Sequence, residues 1–425
     1  MSAQLTVNSG DAEAQLGERY ALNTHSLGMN ASVQQNKAKE GFLSQWNPNA
    51  ELTLENAMVR IDRLGENIHV SNLNFFFEPN LLDFKNCTFR LGQSDVSIQG
   101  YVTGIKDQIE QHGSPVKGDF KLNTELLDIK EIVELINGLD ITKDTTKSKD
   151  NGPFIVPKGI DLTLDLKTKK TVYEHLDFTD LRGLVSMKDN ALTLHEISFT
   201  NKAARMQLSA LYQSLSRDSL FFAMDFHLLD VQISDLLHLI PYFDTLVPML
   251  KTFDGQGEVN LDVETNLWPS YQPKIHTMRA AADIKGQDLT VNDQFTFTKI
   301  TDILHVSTNG EYRVDSLDVQ LTFFKNQLDL WPSQLGIGRY KAIAEGYMTS
   351  DKYAEYHISI TESPFPLHHG LKISGPFEKM KFELEESKHP NQYKPVRLKE
   401  RNREFIQSIK KRIANRKAVN STQPM

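Results

Sequence analysis

The segment GIDLTLDLK, residues 159–167, decides the fold, because apolar and polar side chains alternate along it one by one. Successive side chains of an extended chain point to opposite faces, so Ile160, Leu162, Leu164 and Leu166 share one face. The polar side chains between them share the other face. A strand with one apolar and one polar face is typical of an antiparallel sheet, since parallel strands are usually buried on both faces.

The same alternation recurs through most of the chain, and turn signals separate the segments. Asp-Asn, Asn-Gly and Gly-Gln pairs interrupt it in MKDNALTL, STNGEYRV and LGQSDVSI. The spacing of such turns predicts about 18–22 strands. Further alternating segments are FAMDFHL, YHISI, MKFEL, GEVNLDVET with Val259, Leu261 and Val263, and LDVQLTF with Leu317, Val319 and Leu321.

Helical periodicity is confined to three places. LLDIKEIVELINGL, residues 126–139, has Ile129, Ile132 and Ile136 at helical spacing and Gly138 as a stop. VQISDLLHLIPYFDTLVPMLKTF, which begins at residue 231, predicts a helical insert over about 231–250 that two prolines divide into pieces. The third place is the basic C-terminal segment.

The chain is similar to itself at an interval of roughly 100 residues, which predicts an internal repeat. LDIKEIVELI (127–136) aligns with VQISDLLHLI, which lies 104 residues later, and CTFRLGQSDVSIQGYV (87–102) aligns with ISFTNKAARMQLSALY, which lies 110 residues later. KAIAEGYM (341–348) is a partial third copy, in which Gly346 aligns with Gly100. The alternative is the self-similarity that any all-β chain has.

These patterns divide the chain into four parts. Residues 1–139 form an N-terminal β unit with a closing helix, and residues 140–153 form a polar linker without aromatic side chains. Residues 154–387 form a C-terminal β region with the helical insert, and residues 388–425 form a basic amphipathic tail.

The tetrapeptide Leu-Trp-Pro-Ser occurs twice, 63 residues apart, and contains two of the three tryptophans. Each copy follows alternating sequence, and proline cannot donate a hydrogen bond to a neighbouring strand. We therefore expect the strands to stop at Pro269 and Pro332. Trp268 and Trp331 would cover sheet ends, or alternatively mark the mouth of a groove.

The net charge of −8 hides a strong asymmetry along the chain. Residues 388–425 contain eleven Lys and Arg and two Glu, so residues 1–387 carry a net charge of −17. Because an acidic body repels nucleic acid, we expect no nucleic-acid partner.

The tail also has the pattern of an amphipathic helix. Phe405, Ile409 and Ile413 recur at every fourth position, and Lys410, Lys411 and Arg412 belong to the other face. Such a helix binds an anionic membrane surface or an acidic partner. The alternative is that its apolar stripe caps the open end of the sheet.

No signature of catalysis, of a metal site or of a cofactor site is found in the sequence, which predicts a protein that is not an enzyme and holds no cofactor. A phosphate loop, a nucleophile elbow and a zinc-protease motif are all missing. His368 and His369 are adjacent and would point to opposite strand faces, and Asp161 and Asp165 are typical of a solvated face. The single cysteine, Cys87, lies in a strand pattern and is expected to be a small buried residue.

No stretch approaches 18 uncharged apolar residues, so the sequence predicts no transmembrane helix, and the polar start has no signal-peptide core. The first residues have the pattern of a strand-rich domain. We expect that a segment preceding Met1 is missing from this chain.

Residues 153–387 resemble the C-terminal region of the AsmA-like family of bacterial envelope proteins, and residues 50–139 resemble a weaker copy of the same unit. The resemblance is one of pattern and order. It is carried by IVPKGIDLTLDL, LDFTDLRGLVSMKDNALTLHEISF, TFDGQGEVNLDVETNL and VDSLDVQLTFFKNQLDLWPSQLGIGRYKAIAEGYM.

The resemblance implies a long, strongly twisted antiparallel sheet with an apolar groove, located in the periplasm of a Gram-negative cell. It also implies a role in moving phospholipid between membranes during outer-membrane biogenesis, similar to that of the bridge-like lipid transfer proteins. Family members have one N-terminal helix in the inner membrane. This chain departs from the family there, so its association with the inner membrane is an expectation for a longer protein.

One-sided strands must cover their apolar face either with a second sheet, as in a sandwich, or with a ligand. The resemblance favours an elongated, twisted antiparallel sheet whose groove takes phospholipid acyl chains. The alternative is a structural or regulatory factor in outer-membrane protein assembly, with a filled core and no lipid. A second rival, a carbohydrate-active enzyme, needs two facing carboxylates. The predicted lining residues are Ile160, Leu162, Leu164, Leu166, Val259, Leu261, Val263, Leu317, Val319 and Leu321.

Overall fold

The structure is a computed structural model of the 425-residue chain. It describes residues 1–138, 152–233 and 252–389 and five residues between 404 and 411, with short gaps at 18–19, 40, 63, 65, 112–114, 175, 202–203, 309–311, 367–368 and 377–378. The chain divides into two compact units: the first comprises Met1–Asn201 and Gln213–Arg217, and the second comprises Lys202–Tyr212 and Asp218–Met425.

The first unit is a sheet in which each strand from β3 to β11 pairs with the next strand in sequence, while β1 and β2 both pair with β3. Its described elements are β1 (Ser2–Ser9), β2 (Ala12–Leu16), β3 (Tyr20–Gln34), α1 (Phe42–Trp46), β4 (Pro48–Ile61), β5 (Ile68–Glu78), β6 (Leu81–Leu91), β7 (Ser94–Thr103), α2 (Ile105–Gln111), β8 (Val116–Asp128), α3 (Ile129–Gly138), β9 (Ile160–Tyr173), β10 (Leu176–Lys188) and β11 (Ala191–Thr200).

The second unit continues the pattern of antiparallel strands, and β12 (Arg205–Ser216) has residues in both units. From β15 to β22 each strand pairs with the next, and β13 pairs with β15. The other described elements are β13 (Ser219–Gln232), β14 (Phe253–Asp254), β15 (Gln256–Leu267), a 3-10 turn (Ile275–Thr277), β16 (Arg279–Val291), α4 (Gln294–Ile303), β17 (Arg313–Phe324), β18 (Gln327–Ile337), β19 (Tyr340–Thr349), β20 (Tyr353–Glu362), β21 (His369–Pro376) and β22 (Lys381–Glu386).

The prediction of a mainly β chain built on an open antiparallel sheet is confirmed, since the described residues contain 22 strands and four short α-helices. The Asp189-Asn190 pair forms the β10–β11 turn with positive φ at both residues, as its sequence indicates. Most of the predicted insert at 231–250, and the predicted linker except 152–153, lie outside the described residues.

One strand pair departs from the expected antiparallel arrangement. β8 and β9 are parallel, with Phe120 opposite Leu164. Parallel neighbours need a long crossover connection rather than a hairpin, and α3 together with the residues up to 159 provides it. Alternation could not reveal this, because both strands keep one apolar and one polar face whichever way they run.

The aligned glycines of the repeat have the same surroundings in both units. Gly100 pairs with Phe120, Gly346 pairs with Tyr356, and the φ angles of the two glycines are 156° and 150°. In each unit, the strand before the one that contains the glycine has a β-bulge, which lies next to the residue of that strand that pairs with the glycine. In both places the aromatic ring of the facing strand lies where a glycine Cβ would be.

The two Leu-Trp-Pro-Ser segments have different structures. The first follows the expectation, since β15 ends at Leu267 and Trp268 begins a loop. The expectation is wrong for the second, because β18 continues from Gln327 to Ile337 through Pro332. Lys325 and Asn326 form the turn instead, and Pro332 occupies a β-bulge between Leu330 and Ser333, where no ladder hydrogen bond is required of it.

Candidate functional site: an apolar band on the first unit

One face of the first unit's sheet carries three cross-strand rows of apolar residues without a polar member, two of which run from β3 to β11 and the third from β3 to β10. We call these rows the apolar band. Its first row is Met29, Leu52, Phe75, Phe84, Gly100, Phe120, Leu164, Val185 and Leu194. The flanking rows are Ala31, Ala50, Phe77, Leu82, Val102, Gly118, Leu162, Met187 and Leu192, and Leu27, Leu54, Leu73, Cys87, Ile98, Leu122, Leu166 and Gly183.

The apolar band is only half-covered. Every residue of its first row is half-buried, and in the flanking rows only Leu54, Cys87 and Gly118 are fully buried. All described strands of the first unit belong to the one sheet that carries the band, so the described residues of the unit supply no second sheet to cover it. With strands about 4.8 Å apart, the nine strands extend the band over roughly 40 Å along the hydrogen-bonding direction.

Phenylalanine rings form the middle of the band. The ring centroids of Phe75 and Phe84 are 5.2 Å apart, and those of Phe84 and Phe120 are 6.0 Å apart. Gly100 lies between the last two in the row, and a Cβ there would come within 2.6 Å of the Phe120 ring. The absence of a side chain at Gly100 therefore leaves room for the Phe120 ring.

The opposite face of the same strands is polar. On β8 the residues between the band positions are Lys117, Asp119, Lys121 and Asn123, and all four are exposed. Lys188 and Asp161 form an ion pair of 2.6 Å on this face of β9 and β10. The sheet thus separates a hydrated face from an apolar one.

Helices lie at both ends of the band. Leu135 of α3 packs against the buried cluster of Ile61, Ile68 and Leu91 on the same face of the sheet. At the other end of the strands, the amide and the hydroxyl of Ser44 in α1 donate to the two carboxylate oxygens of Glu110 in α2, at 2.8 and 2.6 Å. The hydroxyl donor lowers the pKa of Glu110.

The predicted groove residues separate into two groups. Ile160, Leu162, Leu164 and Leu166 are half-buried on β9, and the last three belong to the apolar band. The other six lie in the second unit and are buried, with exposures of 0–9%: Val259, Leu261, Val263, Leu317, Val319 and Leu321. These six form interior packing in this structure, whereas the four on β9 face an accessible surface.

Sequence reasoning missed most of the band. On β5, Phe75 and Phe77 lie in the band, and Asn74 and Phe76 alternate with them on the polar face. The run NFFFE hides this period of two because Phe76 is itself apolar. On the polar face, Lys85 Nζ lies 5.8 Å from the centroid of the Phe76 ring. Bulges at β5 and β6 also break the alternation that a reader of the sequence would follow. Cys87 is buried within the band, and burial raises the pKa of its thiol.

A second arrangement, on the polar face of the second unit, involves one of the predicted tail contacts. Lys410 Nζ lies 3.2 Å from Asp225 Oδ2, and His227 Nε2 lies 3.0 Å from Asp225 Oδ1. Burial opposes ionisation of Asp225, but His227 and Lys410 outweigh it and lower the pKa. The hydrogen bond with Asp225 in turn raises the pKa of His227.

Asp262 faces Asp225 on the neighbouring strand, is 2% exposed, and has one carboxylate oxygen without a hydrogen-bond partner. Burial, and then the Asp225 charge, raise the pKa of Asp262 to about 7. Lys411 is exposed on the same helical turn as Lys410. Phe405, Ile409, Arg412 and Ile413 lie outside the described residues.

In the described part of the chain, no group of three or more His, Cys, Asp and Glu side chains is arranged to hold a metal ion. Within the same residues, no helix combines the length and the apolar character needed to cross a membrane.

Comparison with known proteins gives no relative: no protein family, no curated protein and no solved structure matches this chain.

Proposed function

We propose that the chain binds phospholipid acyl chains on the apolar band and conducts them along it. The observation that supports this is that a continuous apolar surface nine strands wide is only half-buried. Monomeric proteins rarely leave so extensive an apolar surface open unless something binds there. Each acyl methylene that leaves water for such a surface gains about 0.8 kcal/mol.

The composition of the band suits acyl chains better than a ligand with directional polar groups. Its three rows contain no polar side chain apart from the thiol of Cys87, whose pKa is raised by burial. Acyl chains need only apolar contact, which leucine and phenylalanine side chains supply at any point along the row. A headgroup would remain in water beside the band, since no charged side chain belongs to it.

The resemblance to AsmA-like proteins supplies the proposed setting. In that setting the chain belongs to the periplasm of a Gram-negative cell, associates with the inner membrane as part of a longer protein, and serves outer-membrane biogenesis. The mechanism is passive, because acyl chains partition into the band and no bond is made or broken.

Charged substitutions within the band provide the test. We expect Phe120→Asp to abolish co-purification of phospholipid, measured by native mass spectrometry and by lipid extraction of the purified protein, because a carboxylate in the middle of the row repels acyl chains. The control is Asn123→Asp, which introduces the same change of charge at an exposed position on the polar face of the same strand.

Equal amounts of bound phospholipid in the two variants would contradict the proposal. So would the absence of lipid from the unmodified protein after extraction, which would favour the assembly factor without a lipid ligand. Circular dichroism of both variants shows whether each remains folded.

A further inference from the structure

The connections at one end of the second unit's sheet form a surface with exposed aromatic side chains and lysines. Because the paired strands are antiparallel, the β15–β16, β17–β18, β19–β20 and β21–β22 connections all lie at the same end. We call this end the aromatic rim. Its exposed apolar residues are Trp268, Tyr271, Ile275, Phe324 and Tyr353, with exposures of 37–51%.

Lysines accompany these aromatic side chains. Lys274 Nζ lies 4.6 Å from the Trp268 ring centroid, and Lys325 Nζ lies 5.4 Å from that of Phe324. Lys352 is exposed beside Tyr353. Trp and Tyr with neighbouring lysines are typical of surfaces that bind at the headgroup level of a membrane.

Charge distinguishes the two ends of the second unit. Among the described residues of its four connections, the rim end has four lysines (Lys274, Lys325, Lys352 and Lys379) against one aspartate (Asp351). The opposite end has Lys299 and Arg339 against Asp254, Asp293 and Asp302. A locally positive end on a body of net charge −17 complements an anionic surface.

The rim's tryptophan loop is held in place by its own hydrogen bonds. The amides of Trp268 and Tyr271 donate to the carbonyls of Gln272 and Trp268, and the amide of Lys274 donates to Asn266, each at 2.8 Å. Tyr271 has a φ of 64°, in the left-handed region that a non-glycine residue adopts only at an energetic cost. The loop therefore holds its aromatic side chains exposed at an energetic cost.

The second Leu-Trp-Pro-Ser segment provides a contrast. Trp331 is half-buried within β18, and its Nε1 donates to Thr322 Oγ1 at 2.8 Å. Trp268 projects from a loop and is 49% exposed. The same four-residue sequence thus contains a packed tryptophan in one place and an exposed tryptophan in the other.

We propose that the aromatic rim binds the surface of a membrane containing anionic phospholipid. The aromatic side chains enter the headgroup region, and Lys274, Lys325 and Lys352 contact lipid phosphates. This inference goes beyond acyl binding on the apolar band and stands without it, because the rim belongs to the second unit.

Co-sedimentation with vesicles tests the proposal on the full chain. One vesicle set is pure phosphatidylcholine, and in the other a third of the lipid is phosphatidylglycerol. We expect binding to the anionic set only, and a weakening on the order of 100-fold in Lys274→Gln/Lys325→Gln/Lys352→Gln, because each cation near an anionic surface contributes about a fivefold effect. Phe295→Ser/Arg339→Gln, which changes the opposite end, should bind like the parent.

Fluorescence gives a second measurement that does not depend on how well the triple variant folds. In a Trp46→Phe/Trp331→Phe background only Trp268 remains, and anionic vesicles containing brominated acyl chains should quench it. Unchanged Trp268 fluorescence would overturn the proposal. Loss of vesicle binding in the tail variant Lys410→Gln/Lys411→Gln/Arg412→Gln, with full binding in the rim variant, would overturn it as well.

Discussion

Replacing Gly346 with alanine should lower the free energy of unfolding by about 3 kcal/mol or more, since both strain and overpacking contribute. A Cβ at this position would lie 2.1 Å from the carbonyl oxygen of Glu355 and 2.7 Å from the Cα of Tyr356. Both are backbone atoms of the paired strand, so they cannot move aside as a flexible side chain can. Gly100→Ala should behave alike, because its Cβ would lie 2.2 Å from the carbonyl oxygen of Asp119.

Urea denaturation followed by circular dichroism measures these losses, and Gly338→Ala is the matched control. Gly338 also has a positive φ, but a Cβ there would meet nothing within 4 Å. Its substitution should cost only the left-handed backbone penalty of about 1–2 kcal/mol. A loss at Gly346 no larger than that at Gly338 would show that the strands separate easily at this point, contrary to the geometry.

Raising the pH should destabilise the folded second unit through Asp262. Burial holds the pKa of this carboxyl at about 7 in the folded state, against an ordinary value of 3.8. Between these values the folded protein keeps a proton that the unfolded chain has released, so stability is fully present below pH 3.8 and is lost as the pH rises through about 7. At 1.36 kcal/mol per pH unit the loss amounts to about 4 kcal/mol.

Asp262→Asn should remove most of this pH dependence. We expect the variant to be more stable than the parent by about 4 kcal/mol at pH 8, with a smaller difference at pH 5. His227 acts in the same direction, since its raised pKa also favours the folded state at lower pH. Asp225 acts oppositely, because its lowered pKa adds stability that is lost as the pH falls.

Thermal melts from pH 4 to pH 8 provide the measurement. The control is Asp165→Asn, a substitution of an exposed aspartate on the polar face of β9, which should leave the pH profile of the parent unchanged. A parent whose stability rises steadily between pH 5 and pH 8 would exclude this role for Asp262. The groups that face Asp262 in this cluster are Asp225, His227, Asp283 and Lys410.

The segment around Leu164 shows how much of the candidate site can be predicted from the sequence. Alternation correctly placed Leu162, Leu164 and Leu166 on one face, and all three lie in the apolar band. The same pattern at Val259 and Leu261 gave no sign that these residues are buried. Period-2 alternation states which side chains share a face, but it does not state what covers that face.

The repeat carried more information than its loose sequence agreement indicated. Gly100 and Gly346 were aligned from neighbouring letters alone, and they share a φ near 150° and an aromatic cross-strand partner. Other features were beyond any local pattern. Pro332 lies inside a strand because a bulge accommodates it, and the bulge arises only where β18 meets β19.

The sequence by itself determined the local features of this chain: strands with one apolar face, a type I′ turn at Asp189-Asn190, and the glycines on which two aromatic rings rest. Tertiary structure alone decided the parallel pairing of β8 with β9, the burial of Val259 and Leu261, and the exposure of the apolar band. The physical reason is that the pairing of strands, and the burial of each face of the sheet, depend on contacts between segments far apart in the chain. Alternation and turn residues depend only on neighbours.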